Sequence, residues 1–378
     1  MTAGSDTGLA ARLAGMRICI CLGGGGVGKT TTSAALALEL ASRGQKVAVI
    51  TIDPARRLAA ALGLRVGASG HPHIGEHRID PALFAAQGIE MKGELWAMML
   101  DPKRTLDDAI ANLEPEASTR EEILSNPIYR ELSTAVAGSQ ELSAIAELYA
   151  LHNERDFDVI VLDTPPSRNA LDFLDAPTRL LGFLEGRALQ VFLAPGGLTA
   201  RLFGRSTALV FSIFARITGV DMLSDLSQFF RSVSGVIDPF SQRTRDVASL
   251  LRESSTAFLI ITSPEPEPAR EAVFMARKLD ARGMSRSELI INRVNRDGLG
   301  GHTVDEVNEL LAPTLGEPLA LRVAHNLADF DVLAQRDRKT VARLTHELGH
   351  GNPVLVPQLD EDVQDLRGLA RVAEHLFV

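Results

Sequence analysis

Cysteine is nearly absent: Cys19 and Cys21 are the only two in 378 residues, too few for a disulfide framework. Their i, i+2 spacing on a predicted strand puts both on one face, roughly 6.5 Å apart, a span that a disulfide bridges only under strain. They read as buried, inert thiols. Positive charge is also scarce, with 39 Lys and Arg against 48 Asp and Glu, a net charge of −9 and a pI near 5.6. A protein that neutralises a nucleic-acid backbone needs a basic face to displace counterions, so nucleic acid is not an expected partner. No apolar run approaches the roughly 20 residues that span a bilayer. The opening MTAGSDTGLAARLAGMR also lacks an apolar stretch long enough for a secretion signal. A cytoplasmic protein is expected, and neither internal repeats nor extended low-complexity segments complicate that reading.

What is present is enough apolar material, 45% of residues, to bury a substantial core. Short β-branched runs alternate with helical patterns, which predicts an α/β fold: a mainly parallel β-sheet flanked by helices. The strands are expected at residues 17–22, 46–52, 94–100, 158–163, 256–262, 288–294 and 353–357. Two stretches, about 102–155 and 180–253, break the alternation and read as helical insertions in a single domain over residues 15–378, with a flexible N-terminus at 1–14. The second contains RSTALVFSIFARITGV, an apolar stretch interrupted by Arg205 and Arg216. It reads as helices packed on their own core or as an apolar groove for a partner helix. PEPEP at Pro264 to Pro268 reads as a stiff strand-to-helix connection.

The chemistry begins at ICICLGGGGVGKTTTSAALALELASRG, where GxxxxGK[ST] runs from Gly23 to Thr30 between an apolar strand and an amphipathic helix. Glycines at Gly24, Gly25, Gly26 and Gly28, with Val27 among them, let consecutive backbone N–H groups turn inward around phosphates. The following helix aims its positive end at the same point. Lys29 is then expected at the β- and γ-phosphates, the Thr30 hydroxyl on Mg²⁺, and Thr31 at an α-phosphate oxygen. Two carboxylates are expected where strands end facing this loop, the side on which open α/β sheets bind ligands. Asp163, ending VIVLD, is the natural magnesium partner through water. Asp53, in TIDPARRL, is expected to orient the attacking water, with helix capping as the alternative. The expected fold class is therefore a P-loop NTPase, with a nucleoside triphosphate as substrate and Mg²⁺ as cofactor.

These motifs, with LWAMMLD, ITSPEPEP, INRVN and VPQLDEDVQDLRG, resemble the ArsA and GET-pathway ATPases within the larger MinD and ParA class. DTPPSRNALDFLDAPTRL looks most like the bacterial, actinobacterial-type ArsA-like proteins labelled anion-transporting ATPases. The resemblance implies that Asn292 reads the adenine edge and that Pro357 packs on the base. It also implies that Asp53 and Asp163 are switch carboxylates, and that a homodimer or a heterodimer with a paralogous ATPase couples hydrolysis to a helical region acting on a membrane-associated or apolar client.

Departures from the family pattern qualify this. The lysine usually found at the second loop position, which reaches across the dimer, is replaced by Gly24, so a single species is expected to turn over slowly. Two expectations therefore stand side by side: an ATP-driven dimeric switch, and a weakly hydrolysing nucleotide-sensing subunit that pairs with a lysine-bearing paralogue. Arg56 and Arg57 follow DPA and are candidates for compensating charge. A DNA-partition or septum-positioning ATPase would need a basic surface or a membrane helix, and LRGLARVAEHLFV reads as only weakly amphipathic. The separated cysteines of arsenite sites and the CxxC of an interfacial zinc clip have no counterpart, so neither site is expected. The HExxH pattern from His346 to His350 is set aside, because Gly349 and the following Gly-Asn-Pro end the helix there. HPHIGEH, with His71, His73 and His77, reads as a solvated loop.

Overall fold

The computed structural model of the chain describes residues 8–51, 57–62, 75–114, 116–135, 139–164, 170–185, 229, 231–284, 287–349 and 352–377. It divides into two compact units, one of residues 1–99, 157–171 and 254–378, the other of residues 100–156 and 172–253.

The first unit is built on an eight-stranded sheet: β1 (Ile18–Leu22), β2 (Lys46–Thr51), β3 (Gly75–Arg78), β4 (Glu94–Met99), β5 (Val159–Asp163), β6 (Thr256–Thr262), β7 (Ser287–Val294) and β8 (Val354–Pro357). The spatial order is β3-β4-β2-β5-β1-β6-β7-β8. Every pairing is parallel except β3 with β4. Helices cover both faces of such a sheet, which is why ICICL, VIVLD and TAFLIIT are continuous rather than alternating and are buried at every position. From β1 the chain runs first toward β2 and later toward β6, so the sheet changes winding direction at β1. That switch point is where an open α/β sheet leaves a crevice beyond its strand ends.

The helix Lys29–Ser42 follows β1 and buries Thr32 to Leu38, Leu40 and Ala41. Against it packs the last helix, Leu366–Leu376, expected to be weakly amphipathic but carrying a sharp apolar stripe of Leu366, Leu369, Val372, Ala373 and Leu376. The intervening Arg and Glu residues stay at its surface, which is the 3.6-residue spacing of a helix lying on a core. The N-terminal stretch expected to be flexible contains a helix at Leu9–Arg12, with Leu9 and Leu13 in the core. Arg12 bonds Glu288 at 2.8 Å and donates to the Asn352 carbonyl at 2.9 Å.

Two other expectations change. His77, assigned to a loop, lies on β3 and pairs with Ala97, while His71 and His73 fall outside the described residues. The segment GEHR has little intrinsic strand preference, and its extension comes from the ladder that β4 offers. PEPEP is only half connection: the helix Pro266–Ala281 starts inside it, with prolines in its first turn, where no intrahelical N–H bond is lost. The helix Glu317–Leu348 includes His346 and stops at Gly349, with His350 outside the described residues. Among the described residues no group of three or more His, Cys, Asp or Glu side chains could hold a metal, and no helix is long and apolar enough to cross a membrane.

The second unit is helical where described, with helices at Pro102–Leu113, Ala117–Ser125, Pro127–Ala135, Ser139–Asn153 and Ser234–Leu250. Its local core gathers Ile123, Tyr129, Phe229, Val233, Val236 and Ile237. The Tyr129 hydroxyl donates to Asp107 at 2.7 Å, and burial first, then that carboxylate, pushes the phenol's pKa upward. Arg205, Arg216 and the whole run 206–220 lie outside the described residues.

Candidate functional site

Between Leu22 and Lys29 the chain makes a turn whose shape depends on glycine at several positions. Gly28, capping the helix Lys29–Ser42, sits at φ +91, a left-handed conformation that side-chain-bearing residues adopt at a cost of about 1–2 kcal/mol. A Cβ there would also collide with the Asn292 side-chain amide. Gly24 is buried, and a Cβ on it would overlap the Glu271 carboxylate, whose Cδ would lie 3.4 Å away. Gly25 and Gly26 are exposed, Val27 is buried, and Thr31 is half-buried. The first amides of the helix have no intrahelical acceptor and point into the turn. Lys29 is only 6% exposed, and its ammonium donates to the Gly24 carbonyl at 2.8 Å, so the cation is folded onto the loop it follows.

Facing the loop is Asp163, the last residue of β5 and fully buried. Strand register brings it level with Thr51 on β2 and Cys21 on β1. Its Oδ2 accepts from the Thr30 hydroxyl at 2.7 Å and from the Thr51 hydroxyl at 3.0 Å. The Ser33 hydroxyl donates to the Lys29 carbonyl at 2.9 Å and stands 3.5 Å from Oδ1. Thr164 turns away and donates to the Cys21 carbonyl at 2.7 Å, tying the ends of β5 and β1 together. Both cysteines are free and buried. Burial pushes the Cys19 thiol up to about 12, and it pushes Cys21 higher still, with the nearby Asp163 charge adding to the effect. Neither sulfur offers a thiolate.

This donor set fits magnesium. Thr30 and Asp163 present a hydroxyl and a carboxylate oxygen side by side, the hard ligands that Mg²⁺ takes while retaining most of its water. No soft donor competes, because the adjacent thiol of Cys21 is held protonated.

Asn292 on β7 reaches the loop, and Pro357 ends the neighbouring strand β8. Asn292 donates through Nδ2 to the Val27 carbonyl at 2.9 Å, and its Oδ1 accepts from the Arg293 amide at 2.9 Å. Arg293 sits at φ +59 within a register shift between β7 and β8, after which Val294 pairs with Pro357. The irregularity turns Asn292 toward the loop, and one of its amide hydrogens stays available beyond the bond to Val27. Asp53 and Arg56 lie outside the described residues, and Arg57 opens the helix Arg57–Ala61.

A family model described as anion-transporting ATPase matches residues 16–299. The chain belongs to that family. Relatives are distant: ATPase GET3 of Malassezia globosa is 25% identical over 348 residues, spanning 91% of this chain and 85% of its own. ATPase get3 of Schizosaccharomyces japonicus is 32% identical over 149 residues, 39% of each chain. An uncharacterized protein of Streptomyces coelicolor is 27% identical over 265 residues, covering 69% of this chain and 58% of its own length. As a member of the anion-transporting ATPase family the chain is an ATPase with a P-loop α/β fold.

Three residues beside Asp163 or the loop were not singled out from sequence: Thr51, Ser33 and Glu271. Thr51 could have been found from the parity of β2 and β5, whose last buried positions must align. Ser33 lies one helical turn beyond Thr30 on the same face. Glu271 carries no local signal; only the fold brings it to Gly24.

Proposed function

We propose that the chain binds Mg·ATP in the cradle of residues 23–31 and hydrolyses it to drive a dimeric conformational switch. One observation carries the reading: a fully buried carboxylate, Asp163, gathers the Thr30 and Thr51 hydroxyls at the strand ends directly beside the phosphate loop. In this reading the amides of Gly24 to Gly28 wrap the phosphates, and the Lys29 ammonium leaves the Gly24 carbonyl for the β- and γ-phosphates. Thr31 bonds an α-phosphate oxygen, Asn292 uses its remaining amide hydrogen on the adenine edge, and Pro357 packs on the base. Thr30 and Asp163 hold Mg²⁺, Asp163 through water. When bound, the ion spreads phosphate charge that develops during transfer. Asp53 orients the attacking water. The protein works in the cytoplasm, as a homodimer or with a paralogous ATPase, and reaches the membrane only through a partner. The helical segment 180–253 handles a membrane-associated or apolar client, for which ATP-dependent hydrogen-exchange protection across 211–230 is the expected sign.

Calorimetric titration with Mg·ATP is the decisive test. Saturable binding is expected, with Lys29→Met weakening it about a hundredfold, the scale of a lost charge-assisted bond of roughly 3 kcal/mol. Absence of binding to the folded wild-type chain refutes the proposal. Gly24, standing where the family's trans-acting lysine belongs, favours a second reading, a nucleotide-sensing subunit that needs a lysine-bearing paralogue. Vigorous turnover by the chain alone, not raised by Gly24→Lys, would eliminate that reading.

A further inference from the structure

We propose that Glu271 is a specificity-determining charge at the phosphate loop, one that lowers the affinity of the isolated chain for ATP relative to ADP. The inference rests on the loop binding nucleotide and concerns which nucleotide it favours. Glu271 projects from the helix Pro266–Ala281, whose buried face of Ala269, Ala272, Met275, Ala276 and Leu279 anchors it against the sheet. The loop is held close to β6 on that side, since a Cβ at Gly23 would overlap the Ile261 carbonyl. Between these two fixed elements the Glu271 carboxylate lies against the α-carbon of Gly24, in the space any side chain at position 24 would occupy. The carbonyl of the same Gly24 holds the Lys29 ammonium. One carboxylate and the one lysine of the loop thus converge on a single residue, and in the proposed reading that lysine serves the β- and γ-phosphates.

Glu271 is half-buried, and among the described residues no ion pair or hydrogen bond engages its carboxylate. A partly desolvated, unpaired negative charge repels a second negative charge brought near it, and ATP brings one more than ADP. The penalty falls mainly on the added phosphate, so the effect is a discrimination between nucleotides rather than a uniform loss of binding. Gly24 belongs to the same device, because a side chain there would evict the carboxylate.

The experiment is calorimetric measurement of the Kd ratio, ATP over ADP, with magnesium, for wild type, Glu271→Gln, Glu271→Ala and Gly24→Ala. Each variant should favour ATP by a further factor of about three to thirty, the range expected for a screened like-charge contact at this separation. Gly24→Ala should add nothing once Glu271 is already alanine, since it displaces the charge that the alanine has removed. Thermal midpoints of the nucleotide-free proteins control for folding, and should Glu271→Gln fail to fold, Gly24→Ala carries the same test. A ratio unchanged from wild type in folded variants overturns the inference and leaves nucleotide binding intact. Wild type that binds neither nucleotide overturns the phosphate-loop reading and this inference with it.

Discussion

Replacing Gly28 and Asn292 singly and together tests whether the phosphate loop is shaped by the contact between them. Gly28→Ala forces a side chain into φ +91, at about 1–2 kcal/mol, and its Cβ expels Nδ2 of Asn292. Expulsion breaks the 2.9 Å bond to the Val27 carbonyl, worth about 1 kcal/mol. The single variant should therefore lose about 2–3 kcal/mol. Asn292→Ala removes the same bond without strain and should lose about 1 kcal/mol. In the double variant the bond is lost only once and the collision is gone, so the total should fall short of additivity by about 1 kcal/mol. Native-state hydrogen exchange at the β1 amides of Cys19, Ile20 and Cys21 reads the opening free energy of the sheet unit directly, without requiring that the whole chain unfold in one step. Additivity within about 0.3 kcal/mol would refute the reasoning, because residues that share no contact behave that way.

Thr51→Val should destabilise the sheet unit by about 1–3 kcal/mol, because a buried carboxylate loses a charge-assisted donor, and denaturant unfolding at constant m-value measures it. Cys19 provides a pH prediction. Its folded value is raised from 9.0 to about 12, so the protonated thiol's contribution to stability is complete below pH 9 and is lost as pH rises toward 12. Across that interval the wild type should lose about 1.4 kcal/mol per pH unit more than Cys19→Val, read from unfolding curves at successive pH values. Equal slopes would contradict the burial argument.

Much of the architecture could be read from residue pattern alone, because a parallel sheet buried on both faces needs uninterrupted apolar strands and RICICL, VIVLD and TAFLIIT have no other good use. The loop was equally legible, since phosphate cradles demand glycine at fixed spacing. Harder to read were features whose cause is distant in sequence. GEHR becomes a strand only because β4 presents an edge. The apolar stripe of Leu366–Leu376 was underestimated because the partner that buries it, Lys29–Ser42, lies far away in sequence. Thr51 joins Asp163 through register between strands more than a hundred residues apart, and Glu271 reaches Gly24 through packing, which no motif encodes.

The placement of β1 has a consequence for how the protein comes into being. Its neighbours are β5 and β6, and the helix that seats Lys29 leans on the much later helix Leu366–Leu376. During translation at roughly 5–20 residues per second, the glycine-rich turn leaves the ribosome long before the surfaces that give it shape. Any site that depends on that turn is shaped only once those later segments have been made, and ICICL waits until then for its parallel neighbours.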